Sequence, residues 1–575
     1  MTESRAQDWP ERNWAIAILG ALIAVGIQQL ADGSKPDDIL HAALAAGLMT
    51  GGVAFAFTID RDRIRYAVAF AVLSALLVSA TVYFNAGFAQ LSTGDGWKLL
   101  CSVLAVAVAA PMFQGWCDAG RPKPPRLTSL AYPQVHDRAW MNILLWFACW
   151  LFAGIVFLLG QLLAELFSLI GIKLVRTAME ESWFVAMLLG GAFGAASGLL
   201  RDRENLLIML QTVVRRVLSV LAPVLGFALI IFLLALPLAG LGALWDATKS
   251  TTPILLSCVV GALVLSNAAV GDSKSDEAQV AVVRLGAGAL GVAMLPLAII
   301  AAISTGLRIG QYGLTPERLW AVVFVAIALA YGAGYFWVIV RRRLTWFEDA
   351  RSLNLKLALG LCLLAFLLAT PLVNFGDWST RSQLARLESG QVSVEKFDWA
   401  SLKFDFGKSG IAALERLSKS GKTPDIRKAA AKALKPENRW EAQSEQQAKG
   451  RAAEVARNVI VKPKAVPLPR DLLVALSQFS PCETKGGCVL FYVPGQADAV
   501  AVMKACRDCG VDVQRFSQSA NGNWSRTNDF ATPPGSSADR DRAESEAIAA
   551  GKVDIREVRR RQVYVGGKPV GAPFE

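Results

Sequence analysis

Apolar residues fill the first two thirds of the chain in blocks of about 20, each closed by a short polar stretch. A helix of that length crosses the hydrocarbon of a bilayer. The pattern predicts eleven such spans: Asn13–Leu30, Leu40–Ile59, Tyr66–Phe88, Leu99–Trp116, Met141–Leu163, Trp183–Leu200, Val217–Leu238, Pro253–Val270, Leu285–Ser304, Leu319–Val340 and Leu353–Phe375. The last reads LNLKLALGLCLLAFLLATPLVNF, and no further span follows it. Within Trp183–Leu200, Gly190, Gly194 and Gly198 recur every four residues, which lets another helix approach closely.

Beyond residue 375 the pattern changes. Residues 376–460 are charged, with apolar positions three or four apart, and predict a helical extension. Residues 461–470 (VKPKAVPLPR) carry three prolines and predict an extended linker. Residues 471–575 predict a small α/β domain: a strand at Val489–Val493, a helix at Gln496–Cys506, a strand at Val511–Ser519 and a closing hairpin at Gln562–Val565. The expected fold is an all-α polytopic membrane bundle over 1–375, a helical extension and a small α/β domain outside the cytoplasm.

Composition agrees with this division. The 575 residues are 54% hydrophobic and only 18% charged, with mean hydropathy +0.40. A soluble chain carries about 25% charge. The net charge of +12 is explained by membrane topology, so no nucleic-acid partner is expected. Alternate loops between the spans hold about 20 basic residues against about 7. The rich set includes Arg61, Arg63 and Arg65, Arg201, Arg203, Arg215 and Arg216, and Arg341–Arg343 with Arg351. That bias places the rich set and the N-terminus in the cytoplasm. An odd number of spans then delivers the tail to the periplasm of a bacterial inner membrane.

Nine cysteines are present, and four of them, Cys482, Cys488, Cys506 and Cys509, cluster in the tail. In an oxidising compartment they predict two disulfides, with three pairings open; in the cytoplasm the same spacing would suit zinc. The topology favours disulfides. Cys506–Cys509 falls at the end of its predicted helix, whereas redox C-x-x-C pairs open one, so a structural bridge is expected. Only His41 and His136 occur, which excludes histidine clusters for metal or acid–base work. Gly286–Gly291 matches G-x-G-x-x-G inside an apolar span with no preceding strand, and so predicts no dinucleotide site. Catalytic residues, metals and cofactors are not expected.

Two stretches carry a resemblance. Tyr132–Gly198 contains YPQVHDRAWMN, a long apolar helix, LFSLIGIKL and GGAFGAASG; Arg308–Arg318 reads RIGQYGLTPER. Over residues 1–420 the chain resembles the bacterial integral-membrane family DUF4153. The resemblance implies an inner-membrane protein and supplies no activity and no site residues. Residues 471–575 stand outside it.

Two places remain as candidate ligand sites. In RIGQYGLTPER, Gly313 permits a turn, Thr315 can cap the next helix, Pro316 suits its first position and Glu317 its positive end. The segment is therefore a turn into a span. As a site, Arg308, Gln311, Tyr312 and Arg318 would grip an anionic headgroup or glycan. Gln161 and Glu165 lie four apart on one helical face near the outer end of a span, where an ionisable residue suggests function unless it simply meets headgroups or water. The leading expectation is an envelope interaction or assembly protein, anchored in the bilayer, whose periplasmic domain binds a protein or glycan. A transporter or lipid-handling protein is the alternative, and a membrane-embedded enzyme the weakest reading.

Overall fold

A computed structural model describes residues 10–436 except 33–37, 86–92, 121–129 and 248–250, and beyond them mainly 451–463, 466–477, 486–503, 512–519, 524–527 and 561–574. The chain forms two compact units, Met1–Leu434 and Lys435–Glu575.

The first unit is helical. Its membrane body comprises α1 (Pro10–Asp32), α2 (Ile39–Thr58), α3 (Ile64–Asn85), α4 (Thr93–Asp118), α5 (Tyr132–Leu169), the short α6 (Leu174–Glu180), α7 (Ser182–Asp202), α8 (Glu204–Ala247), α9 (Thr251–Val270), α10 (Ala281–Tyr312), α11 (Pro316–Arg342) and α12 (Trp346–Ala369). Among the described residues, eleven helices are long and apolar enough to cross a membrane. This is a multi-pass membrane protein. Large apolar side chains such as Phe147, Leu151, Leu158 and Phe227 stand exposed on the surface, as lipid contact requires.

Small residues set the helix spacing. A Cβ on Gly194 would collide with the carbonyl oxygen of Ile16, and one on Gly190 with that of Gly20. The glycine stripe of α7 therefore lies directly on the backbone of α1. Farther along, α8–α12 enclose a core of Leu290, Met294, Leu297 and Tyr335 with many alanines. The last span ends earlier than the hydrophobic pattern predicts. Thr370 is extended (ψ 157°) because Pro371 follows it, and Phe375 already belongs to the next helix.

Four helices continue the unit: α13 (Phe375–Glu388), α14 (Trp399–Phe404), α15 (Gly407–Ser420) and α16 (Pro424–Ala433). They share a core of Leu384, Phe397, Leu402, Leu414, Leu417 and Ile426.

The second unit is a small mixed sheet of order β1-β2-β3-β4-β5, formed by β1 (Ile460–Lys462), β2 (Cys488–Tyr492), β3 (Asp498–Met503), β4 (Asp512–Gln518) and β5 (Trp524–Thr527), with α17 (Arg470–Leu476) between β1 and β2. The β1–β2 pair is parallel and the rest antiparallel. Leu472, Leu476, Leu490, Phe516 and Trp524 form its core. A separate hairpin pairs β6 (Arg561–Val565) with β7 (Lys568–Phe574), as expected around Gln562–Val565. One expectation is corrected. Residues 496–506 were expected to form a helix, but Asp498–Met503 is strand β3, with Val500 opposite Phe491. Ala499, Ala501 and Met503 are buried while Asp498 is exposed and the valines are half-buried. This period of two, with β-branched Val500 and Val502, outweighs the helix propensity of the alanines.

Candidate functional site

The loops of the membrane body alternate between two ends. The basic end is tied together by ion pairs: Arg12 with Asp202, Arg63 with Asp118 (2.7 Å), Arg138 with Asp118 (3.1 Å) and Arg63 with Asp60 (2.8 Å). Burial would raise the Asp60 carboxyl, but hydrogen bonding to Arg63 and its charge hold it below the ordinary carboxylate range. The other end bears α13 and is called the tail end below.

At the tail end, the turn from α10 to α11 is built as its residues imply. Gly313 takes φ 75°, and the Thr315 hydroxyl caps α11 by accepting from the Arg318 N–H. The Arg318 guanidinium donates to the Gly313 carbonyl (2.7 Å) and lies over the Tyr312 ring (5.4 Å). Helix α13 grips the same turn. The Gln383 amide donates to the carbonyls of Tyr312 and Leu314, both at 2.9 Å; Arg386 donates to the Gln311 carbonyl (2.7 Å); and the Ser382 hydroxyl accepts from the Leu314 N–H (3.2 Å). The main chain of QYGL thus fastens α13 to the bundle, while the Tyr312 and Arg308 side chains remain exposed. Gln161 and Glu165 lie elsewhere, near the end of α5. Gln161 is half-buried, and Glu165 is exposed between the exposed Leu162 and Leu166. The structure does not group them with the turn. In the second unit Cys482 and Cys488 form a disulfide, and Cys506 and Cys509 lie outside the described residues.

A second constellation, which the sequence reading passed over, sits inside the basic end. Tyr132 and His136 share the first turns of α5, and the Tyr132 hydroxyl lies 2.9 Å from His136 Nδ1. From α12, Arg351 reaches into the loop after α9: its guanidinium donates to the carbonyls of Val270 (2.7 Å), Ser273 (2.8 Å) and Gly271 (3.4 Å) and pairs with Glu277 (2.8 Å). Glu277 also holds Arg284 of α10 at 3.0 Å. From α8, Arg215 pairs with Asp276 and Gln211 donates to Asp137 (3.0 Å). Deeper, the Tyr335 hydroxyl donates to Asn354 (2.9 Å) while the Asn354 amide donates to Asn267. His136, Arg215 and Arg351 are each under a tenth exposed. His136 Nε2 and Asp272 Oδ1 are buried without a hydrogen-bond partner. Asp276 and Glu277 between them serve three arginines, with Glu277 shared by Arg284 and Arg351; the His136 Nε2 and Asp272 Oδ1 atoms are the ones left over. Among the described residues no three His, Cys, Asp or Glu side chains could jointly hold a metal ion.

The signal was available in YPQVHDRAW, where Tyr132 and His136 stand one helical turn apart. In the sequence that stretch carries the family resemblance. A single histidine has no visible partner until α8, α9 and α12 bring theirs. A family model described as a domain of unknown function (DUF4153) matches residues 45–417. No curated protein and no solved structure matches the chain.

Proposed function

The chain belongs to the DUF4153 family, and we propose that it is a bacterial inner-membrane protein that anchors and presents an envelope-binding module. In this reading the basic end faces the cytoplasm and the tail end faces the periplasm. The observation that carries it is the grip of α13 on the Gln311–Leu314 turn. Four hydrogen bonds there attach an extramembrane helical layer to the bundle, which is the construction a presenting anchor needs and a bare carrier does not. The arginines of the opposite end support the orientation. The Cys482–Cys488 bond supports an oxidising compartment for the second unit. A photo-crosslinking residue at Val493 or Gln496, both exposed in the β2–β3 turn, should trap a discrete envelope protein or glycan in living cells. Monomer alone at both positions would overturn the reading.

A transporter or lipid-handling role is the second reading, favoured by the buried His136, whose Nε2 has no hydrogen-bond partner. Under it, His136→Gln should abolish substrate flux in proteoliposomes while leaving the fold intact.

A further inference from the structure

Helix α5 outruns the other spans at the tail end, and the charges of its neighbours supply a ruler. Between Arg284 and Arg308, α10 rises about 36 Å; between Arg318 and Arg341, α11 rises about 35 Å. Those arginines mark the two headgroup levels. From Arg138 to Glu165, α5 rises about 41 Å. A bilayer with both its headgroup layers is about 40–45 Å thick. A tilt of about 20°, the average for such helices, shortens the α5 segment only to about 38 Å. Its antiparallel neighbour α7 has 21 residues and rises about 31 Å. The two pack through Trp146, Trp150 and Phe193 near the basic end, and through Gly160 and Leu188 nearer the tail end.

The apolar surface does not stop at Glu165. Leu166, Leu169, Ile170, Ile172 and Leu174 follow it and are 46–83% exposed. Lower on α5, the exposed Phe147, Leu151 and Leu158 lie at hydrocarbon depth, where lipid can cover them. The five beyond Glu165 stand at the outer headgroup level, where acyl chains do not reach. An exposed apolar patch of this kind marks an interaction surface.

Its charges indicate what covers it. Within residues 165–174 the charged side chains are Glu165 and Lys173, both exposed. Among the described residues neither has an ion-pair partner, whereas Arg176 and Glu180 of α6 satisfy each other at 3.2 Å. One charge of each sign beside a single apolar patch makes a self-complementary surface. A two-fold axis along the membrane normal keeps two copies in the same orientation in the bilayer. It sets patch against patch and brings Glu165 of each copy to Lys173 of the other.

We propose that the α5–α6 elbow is a homodimer contact, in which the patch Leu166–Leu174 covers its own copy and Glu165 pairs with Lys173 across the axis. The contact goes beyond the presenting role proposed above and holds whichever way the protein faces.

The test uses the full-length protein in native membranes. Leu169→Cys, oxidised with copper phenanthroline, should give a covalent species of twice 61.7 kDa on non-reducing gels, and the parent should not. Leu166→Cys serves as a second reporter in the same patch. Glu165→Lys or Lys173→Glu, added singly to the reporter, should lower the yield about ten-fold, because two attractions become two repulsions. All these positions are exposed, so the fold tolerates the changes. Both reversals together exchange the charges and should restore the yield. If neither cysteine gives a dimer, lipid covers the patch and the proposal falls. A crosslinked product of another mass would assign a different protein and overturn it as well. So would a double reversal that stays as low as the singles.

Discussion

Arg351 offers the sharpest test of the basic end. Its guanidinium holds three main-chain carbonyls at the end of α9 together with the Glu277 carboxylate. Arg351→Met keeps most of the packing volume and removes every donor. Breaking a buried ion pair from one side costs about 3–5 kcal/mol. Here Glu277 keeps Arg284 at 3.0 Å, so its charge is not orphaned and about 3 kcal/mol is expected. Arg351→Lys should recover only part of this, because an ammonium has three donors and no planar fork to spread over four acceptors. Removing both partners in Arg351→Met/Glu277→Gln should be milder than the sum of the singles, with a coupling of about 1–3 kcal/mol. Unfolding in mixed detergent micelles, followed by far-UV circular dichroism, measures the parent and these four variants, Glu277→Gln alone included. Were Arg351→Met within about 0.5 kcal/mol of the parent, a range typical of surface substitutions, or the effects additive, the network would be a surface decoration and not the clasp described.

Three other outcomes follow from the same physics. Gly194→Ala places a methyl against the Ile16 carbonyl and should cost about 1–3 kcal/mol in the same unfolding assay, typical of overpacking; parental stability would refute the close α1–α7 approach. Gln383→Leu removes two donors from the α10–α11 turn and should speed tryptic cleavage within 375–434; an unchanged cleavage rate would show that α13 is held by other means. Asp60 has a folded pKa below its unfolded value of about 3.9. Its stabilisation is therefore complete above that pH and is lost as pH falls through the folded pKa. Asp60→Asn should lower the midpoint at pH 7 and flatten its acid dependence, and identical acid curves for the two proteins would contradict the Arg63 pairing.

The membrane body was legible because its signal is long and local. Each span is about 20 apolar residues, and Thr315-Pro316-Glu317 specifies a helix start through its own chemistry. The end of α12 was misjudged by six residues because Thr370 and Leu372 count as apolar enough while Pro371 decides the backbone. Strand β3 was misread because alanine favours helix and the deciding fact, pairing with β2, is tertiary. The sites were the least legible part. Arg351 looked like one more cytoplasmic arginine; that it caps α9 depends on a loop some 80 positions away.

The distribution of buried polarity also separates the two functional readings. The most enclosed spans are α9 and α10, and neither buries a charged side chain. Of their buried hydroxyls, Ser266 donates to the Ala287 carbonyl (3.2 Å), Thr305 to that of Ala301 (2.8 Å), and Thr252 meets Thr305 (3.3 Å). The rest of their buried surface is Thr251 and Ser304 with alanine, leucine, valine, glycine, Ile300 and Met294. An ion-coupled carrier places its titratable groups near mid-depth, where both faces can reach them. In this bundle the buried ionic centre stays at the basic end, and Lys356, farther along α12, is exposed and long enough to extend toward the interface. Charge gathered at the ends and an apolar middle favour the proposed anchor over an ion-coupled carrier.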